Sequence, residues 1–471
     1  MKKWLEIIIL FTVDLLTLTI GFELSVLLRK HFFPFIGLPE FIEGGLITYW
    51  WIFPIWISFF AYEGLLTKKF SFWDEVKQLW KTIFFSTVAV FSVLFIGKMA
   101  EKYSRTVIVL MGVISFFVFP AVRINAKKLF MILGLLRSKV LIIGAGKRGK
   151  LMATALKGET NLGYKVVGFL DDDPAKTGTM IDGVKVHKGI DKAERYIGRG
   201  GINTVVIAIP GASGEKLNGI INSLQHKAEN LLFIPDILGI PVLGTKLQHF
   251  FREQAFALEL QNNLATPFNI FIKRSFDFIV GSFLLLLLSV PIAIMCLLIR
   301  LDSPGPAIFS QERIGRKGRS FKCYKFRTML KGAEETLQEL LNTNEDIRRE
   351  WEQTWKIKED PRITKIGRFL RTTSLDELPQ LINVLRGEMS LVGPRPVTKD
   401  EIVKYYKHTA ELYSSVFPGI TGLWQVSGRS DTSYDYRIAI DSWYVRNWNV
   451  WLDVVILLKT AKVVLKREGA W

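Results

Sequence analysis

Four apolar stretches, near 4–28, 46–66, 79–100 and 105–123, constrain this chain more than any other feature. Each is about the 20 residues needed to cross the hydrocarbon of a bilayer. The second, "LITYWWIFPIWISFFAY", carries aromatic residues at its ends, as interfacial belts do. Asp14 and Glu23 are costly in lipid and are expected to face other helices. The N-terminus does not read as a cleavable signal peptide. Its apolar run is too long, holds those two acids, and lacks a small-residue cleavage site before the next apolar run. The basic loops "TKKFSFWDEVK" and "RINAKK" put both ends of a four-helix transmembrane bundle, residues 1–135, on the cytoplasmic side.

Length allows two or three domains, since the chain has 471 residues. Hydrophobic residues make up 49%, the net charge is +18 and the mean hydropathy is +0.24. A basic, apolar chain suits a membrane protein that meets anionic lipid or an anionic substrate. Nucleic acid is the rival source of such charge. It would require basic residues interleaved with exposed aromatics on one surface; here the charges cluster around acidic motifs, so no nucleic-acid partner is expected. Two cysteines, Cys296 and Cys323, supply neither a disulfide framework nor a zinc cluster. Five scattered histidines contain no HExxH pair.

Residues 136–250 change character. "SKVLIIGAGKRGKLMATAL" reads as strand, Gly-rich turn and helix; "YKVVGFLDDD", "NTVVIAIP" and "NLLFIPD" read as further strands with helical segments between. Alternating β and α units predict a parallel, Rossmann-like sheet. Gly144, Gly146 and Gly149 form a GxGxxG. Asp171, first of an acidic cluster, follows near the spacing of a ribose-binding acid. The pattern is weakly specific, and a degenerate nucleotide fold serving as spacer or regulatory module is favoured, because a membrane segment follows instead of a substrate domain.

That segment, "KRSFDFIVGSFLLLLLSVPIAIMCLLIRLDSPGP", is long enough to span. A span would export a C-terminal half that starts with Arg313, Arg316, Lys317 and Arg319, against the positive-inside bias. Pro291 must break or kink the helix, and Ser289 can bond freed carbonyls. A helix over about 273–300 that bends and returns to the same face satisfies both facts; a kinked span is the alternative.

Residues 301–471 are dense in phosphate-type chemistry. "CYKFRTM" carries Lys325 and Arg327. "DPRITKIGRFLRTTSLDELPQ" strings Arg362, Lys365, Arg368 and Arg371 ahead of Asp376 and Glu377. "LVGPRP" holds Arg395 and "PGITGLWQVSGR" holds Arg429. Read locally, Ser374 and Glu377 make a helix capping box. Read chemically, an aspartate can attack phosphorus or hold Mg²⁺ against a diphosphate. Arginines and lysines neutralise phosphoryl oxygens, and a helix N-terminus adds N–H donors. The C-terminal run, with Trp448, Trp451, Val455 and Leu458 followed by Lys459, Lys462, Lys466 and Arg467, predicts an interfacial amphipathic helix.

The run "KRSFD…P…SPGP…RIGRKG…YKFRTM…DPRIT…SLDELPQL…MSLVGPRP…PGITGLWQVSGR" resembles the catalytic domain of monotopic phosphoglycosyl transferases, the bacterial sugar transferase family, over residues 268–471. With the preceding membrane helices and Rossmann-like module, the whole chain resembles the large polyprenyl-phosphate hexose-1-phosphate transferases. Its ending looks most like the undecaprenyl-phosphate galactose phosphotransferase branch. The resemblance implies a membrane-embedded, α-rich catalytic domain with a re-entrant helix. It implies ping-pong transfer of hexose-1-phosphate from a UDP-sugar, galactose first and glucose as alternative, to undecaprenyl phosphate, with release of UMP. Asp376 matches the nucleophile and Glu377 its partner, both toward Mg²⁺; Lys325, Arg327, Arg371 and Arg395 match phosphate-binding residues. Ser289 and Pro291 match the re-entrant break. Lys273, Arg274 and Asp277 match an entry motif, with snorkelling anchors as their other reading. It further implies a homodimer at the bacterial inner membrane that starts O-antigen, capsule or exopolysaccharide assembly and hands its product to downstream glycosyltransferases. A membrane-tethered nucleotide sensor, with GAGKRG as its working site, is the alternative of another class.

Overall fold

The computed structural model describes residues 2–32, 34, 45–99, 102–209, 214–235, 246–250, 255–259, 263–264, 266–354, 357, 360–427 and 433–466. Arg429 and Arg467 lie outside the described residues. The chain divides into two compact units, Met1–Ile237 and Leu238–Trp471.

In the first unit, helices Lys2–His31, Phe72–Ile96 and Arg105–Ile132 are long and apolar enough to cross a membrane. The second apolar stretch departs from the expectation of one long helix. It forms Leu46–Tyr49 and then Ile52–Tyr62, of 11 residues, about 16 Å. Pro54 is the reason: it has no N–H for the Trp50 carbonyl, and its ring crowds that turn. Thr67 and Lys68 nevertheless line one cleft with Lys3 and Glu6. The chain that left the first helix at His31 has therefore returned to that helix's start.

The polarity of this bundle is reversed relative to a water-soluble one. Phe84, Phe95, Ile96 and Phe117 are exposed, while Asp14, Glu75 and Arg123 are fully buried. Arg123 Nε donates to Glu75 Oε1 at 2.7 Å, and its terminal nitrogens donate to Asp14 and to the Leu65 carbonyl. Lys127 Nζ lies 2.6 Å from both Glu75 oxygens. Asp14 thus faces other helices, as expected. Glu23 does not; it is exposed, about 30 Å along its helix from Lys3, a distance equal to the hydrocarbon thickness.

Strands Met180–Ile181, Val184–Lys188, Tyr164–Asp171, Ser138–Ile143, Thr204–Ile207 and Asn230–Phe233 lie side by side in that order. All pair in parallel except the first, which is antiparallel to its neighbour. Val140 and Ile142 enter one core, Leu141 and Ile143 the other, the two-faced burial that a parallel sheet requires. Asn161 ties this module to the helices, donating to Glu75 Oε2 at 2.5 Å and to the Phe70 carbonyl at 3.1 Å.

In the second unit, helices Pro267–Leu287 and Ser289–Asp302 meet at a 59° bend. The break falls at Leu288, not at Pro291. Pro291 occupies the first turn of the second helix, where an N–H has no intrahelical partner, and its ring excludes the carbonyl one turn back. Ser289 Oγ bonds the Leu286 carbonyl at 2.7 Å. Strands Ile308–Ile314 and Ser320–Phe326 form a hairpin. Ser390–Val392 pairs in parallel with Gly419–Thr421. The closing helix, Val450–Lys466, differs from a purely interfacial one. Trp448, Val455 and Ile456 are buried, and Asp453, fully buried beside them, accepts from Trp448 Nε1 at 3.1 Å.

Candidate active site

Asp376 and Glu377 stand on a single 3-10 turn, Leu375–Glu377, between helices Lys365–Thr373 and Gln380–Arg386. The local expectation of a capping box fails here. Ser374 is left-handed, φ 56°, and closes the preceding helix instead of opening the next. Pro379, at the N-cap of the following helix, keeps the carboxylates ahead of that helix rather than in its first turn. A true capping box of the same pattern occurs at Thr398 and Glu401.

Backbone contacts hold the turn in place. Gly367 is required, because a Cβ there would lie 2.0 Å from the Thr328 carbonyl oxygen. That approach sets helix Lys365–Thr373 against the chain leaving strand Ser320–Phe326, whose Lys325 then faces the carboxylates. Lys325 Nζ is 2.7 Å from Glu377 Oε1 and 4.0 Å from Asp376 Oδ2. Asn383 fixes the same strand from the other side. Its Oδ1 accepts from Tyr324 N at 3.0 Å and its Nδ2 donates to the Lys322 carbonyl at 2.7 Å. Asn383 was not singled out from sequence; a lone amide inside the apolar run "LINVL" was the signal for it.

Burial pushes the Asp376 carboxyl above the ordinary aspartate value, and the adjacent Glu377 charge adds to the rise; Lys325, Arg371 and Arg395 pull the other way. Burial also lowers the Arg371 guanidinium, against the attraction of Asp376 and Asp360. Arg371 Nε donates to Thr328 Oγ1 at 2.9 Å. Arg395 sits on the Gly-Pro-Arg-Pro turn, whose Gly393 packs backbone to backbone on Phe417–Gly419. The Tyr413 hydroxyl lies 3.1 Å from the Arg395 carbonyl.

Other expected residues lie elsewhere. Arg327 donates to the Ser303 carbonyl at 2.6 Å and the Pro304 carbonyl at 3.0 Å, capping the second arm of the bent helix pair. Arg362 is spent on Asp360, 2.7 Å away, whereas Lys365 and Arg368 are exposed. Lys273 and Asp277 are buried, so they are not snorkelling anchors. Lys273 Nζ reaches Asp453 Oδ2 at 2.6 Å, the Val392 carbonyl at 3.0 Å and Asp277 Oδ1 at 3.3 Å. Arg274 donates to the carbonyls of Met389 and Val384. These three side chains bolt the bent helix to the body that carries the dyad.

The donor set at the turn suits Mg²⁺. Two adjacent carboxylates, with side-chain exposures of 17% and 20%, match an ion that takes one or two protein carboxylates and completes its shell with water and substrate phosphate. Among the described residues, no group of three His, Cys, Asp or Glu side chains offers a full protein cage.

In the parallel-sheet module, Gly144 has φ +104° and a Cβ there would meet the Ala208 carbonyl oxygen at 2.6 Å. A Cβ on Gly149 would lie 1.9 Å from the Gly144 carbonyl oxygen, whereas Gly146 has open space around it. Asp171 is engaged by the chain's own backbone: Oδ2 accepts from Ala145 N at 2.8 Å and Oδ1 from Asp173 N at 2.9 Å.

Two family profiles match the chain. The profile of the bacterial sugar transferase family matches residues 268–467, and that of a CoA-binding domain matches residues 61–235. The chain belongs to the bacterial sugar transferase family, as an enzyme of the polyprenyl-phosphate hexose-1-phosphate transferase class. It is 39% identical over 406 residues to the undecaprenyl-phosphate galactose phosphotransferase of Salmonella typhimurium, covering 86% of this chain and 84% of that one. It is 36% identical to the UDP-galactose-lipid carrier transferase of Erwinia amylovora, covering 97% and 96%. The UDP-glucose:undecaprenyl-phosphate glucose-1-phosphate transferase of Escherichia coli is 32% identical over 68% of this chain and 66% of its own length.

Proposed function

We propose that the chain transfers hexose-1-phosphate from a UDP-sugar to undecaprenyl phosphate, with UDP-galactose as the first candidate donor and UDP-glucose the second, and so starts assembly of a surface glycan. The observation that carries this reading is Asp376, partly buried beside Glu377 and facing three cations. An Asp376 oxygen attacks the sugar-bearing phosphorus, the P–O bond to UMP breaks, and an aspartyl phospho-sugar remains. A phosphate oxygen of the lipid then attacks that phosphorus, the bond to Asp376 breaks, and the carboxylate is restored. Lys325, Arg371 and Arg395 neutralise phosphoryl oxygens during both displacements. Glu377, held by Lys325, orients the turn and receives the proton of the incoming lipid phosphate. Asp376 and Glu377 are the residues that would hold Mg²⁺, which would supply charge neutralisation for the departing UMP.

A re-entrant reading of the bent helix is supported by its anchors. Lys273 and Arg274 on one arm, and Ser303 with Pro304 at the end of the other, bond to the same body. With arms of about 21 Å, counting the first from Lys273, a 59° bend carries the apex about 10 Å beyond the line joining its ends, so it enters but does not cross one leaflet, about 15 Å of a hydrocarbon core about 30 Å thick. The first unit then crosses four times, counting the broken segment 46–62, with the loop of Lys68 and Lys69 and the Lys127 end of the helix Arg105–Ile132 on the cytoplasmic side of the bacterial inner membrane. The homodimer and the hand-over to downstream glycosyltransferases rest on the family resemblance.

The test is UMP release by the purified enzyme with undecaprenyl phosphate, Mg²⁺ and a panel of UDP-sugars. UDP-galactose should give the highest kcat/KM. With donor and Mg²⁺ alone, rapid-quench mass spectrometry should find a sugar-phosphate adduct on the Asp376 peptide. Turnover without any adduct, or a different preferred donor, would overturn the corresponding part of the reading.

A further inference from the structure

The first unit contains a second place with an evident chemistry of its own. Where the membrane helices meet the parallel-sheet module, an open surface cleft is lined by Lys3, Lys68, Lys69 and Lys127 against a single acid, Glu6. Lys69 is fixed by Ser138 Oγ at 2.5 Å and Lys127 by Glu75 at 2.6 Å. Lys3 and Lys68 are exposed at the rim. Apolar side chains, Ile7, Leu10, Leu66 and Met131, line the same cleft. They continue along the first helix into the exposed Ile8 and Phe11, with Trp4 exposed at the level of the cleft.

An occupant of this cleft needs an anionic head and an apolar tail. A soluble phosphate would leave the apolar side chains wet, and a zwitterionic lipid would leave the lysines without net counter-charge. Basic pockets between membrane helices at the cytoplasmic surface suit anionic lipid heads, and an interfacial tryptophan beside them marks the headgroup level. We propose that the cleft holds one anionic glycerophospholipid of the surrounding bilayer. Its phosphate lies on Lys3 and Lys68, and one acyl chain follows Ile7 and Leu10. Asn161 and Gly163 of the sheet module also line the cleft, so the lipid braces the junction between helices and sheet.

The full-length enzyme, delipidated in neutral detergent, is titrated with phosphatidylglycerol and with phosphatidylcholine of the same acyl chains, and retained lipid is read by native mass spectrometry. One phosphatidylglycerol per chain should be kept, with a preference over phosphatidylcholine of about tenfold or more. The doubly substituted Lys3→Gln, Lys68→Gln protein should bind phosphatidylglycerol roughly thirtyfold more weakly, with UMP release unchanged. Lys128→Gln, an exposed neighbour on the Lys127 helix that does not line the cleft, should bind like wild type. Equal retention of the two lipids, or equal loss in Lys128→Gln, would overturn the proposal. So would stoichiometric displacement of phosphatidylglycerol by undecaprenyl phosphate, which would assign the cleft to the substrate lipid.

Discussion

Asp376 sits under opposing forces, and their balance makes a prediction that a structural role would not. Burial and the Glu377 charge raise its carboxyl above the ordinary value of 3.8, more than Lys325, Arg371 and Arg395 lower it. A carboxyl raised on folding binds more protons in the folded chain than in the unfolded one. Its stabilising contribution is therefore present at low pH and is lost as pH rises through the raised value. At pH 7.5, Asp376→Asn removes that cost. Its melting temperature should equal or exceed wild type, and the difference should vanish as pH falls toward 3.8, while turnover drops roughly 10³-fold or more. A destabilised variant that still turned over would return Asp376 to a structural role. Lys325 is the largest of the lowering influences on Asp376, so Lys325→Gln should move the acid limb of the kcat/KM profile to higher pH. The carboxylates themselves were legible in "SLDELPQ"; their backbone was not. The same S/T-x-x-E pattern occurs at Ser374 and Thr398, yet only Thr398 opens a capping box. Pro379, five residues past Ser374, was the distinguishing sign, since the chain had to close one helix before beginning another.

Among the elements, two prolines mark where helices break, with the break lying a turn upstream of the ring, whereas Pro120 lies inside the unbroken helix Arg105–Ile132. Pro54 and Pro291 both fall in the first turn of a helix, and the breaks come at Trp50–Trp51 and at Leu288. The existence of a break was thus readable, and its position required knowing which carbonyl the ring displaces. The closing helix illustrates the opposite difficulty. Its apolar stripe and basic end looked interfacial, but Asp453 inside "WLDVVILL" demanded a buried cation, and that cation is Lys273, 180 residues away in sequence. Lys273→Met would leave Asp277 and Asp453 buried with their shared ammonium gone. It should cost about 3–5 kcal/mol, the range for a broken buried pair, against almost nothing for an interfacial anchor. Chemical denaturation in detergent measures the difference.

Whole-chain topology can be checked at Ser320, exposed on its strand. A cysteine there, in a protein lacking Cys296 and Cys323, should resist an impermeant thiol reagent in intact cells and react in inverted vesicles. Prompt labelling of intact cells would replace the re-entrant helix by a kinked span. The parallel-sheet module calls for a different test, because its three loop glycines do different physical work. Gly149 is needed for close packing, since a Cβ would strike the Gly144 carbonyl at 1.9 Å. Gly146 has extended backbone, φ −78° and ψ −168°, and no atom within 4 Å of a Cβ, so a β-branched side chain fits there without strain. It would fill only the space in which a bound nucleotide's phosphates would approach the loop. Asp171, the acid that would meet a ribose, already accepts the Ala145 N–H, which favours a module that supports the enzyme without binding a dinucleotide. Gly149→Ala should therefore lower the melting temperature, whereas Gly146→Val should leave the melting temperature unchanged and keep UMP release within about twofold of wild type. If Gly146→Val kept its fold but lost turnover, the glycine loop would be a working nucleotide site on which the aspartyl chemistry depends.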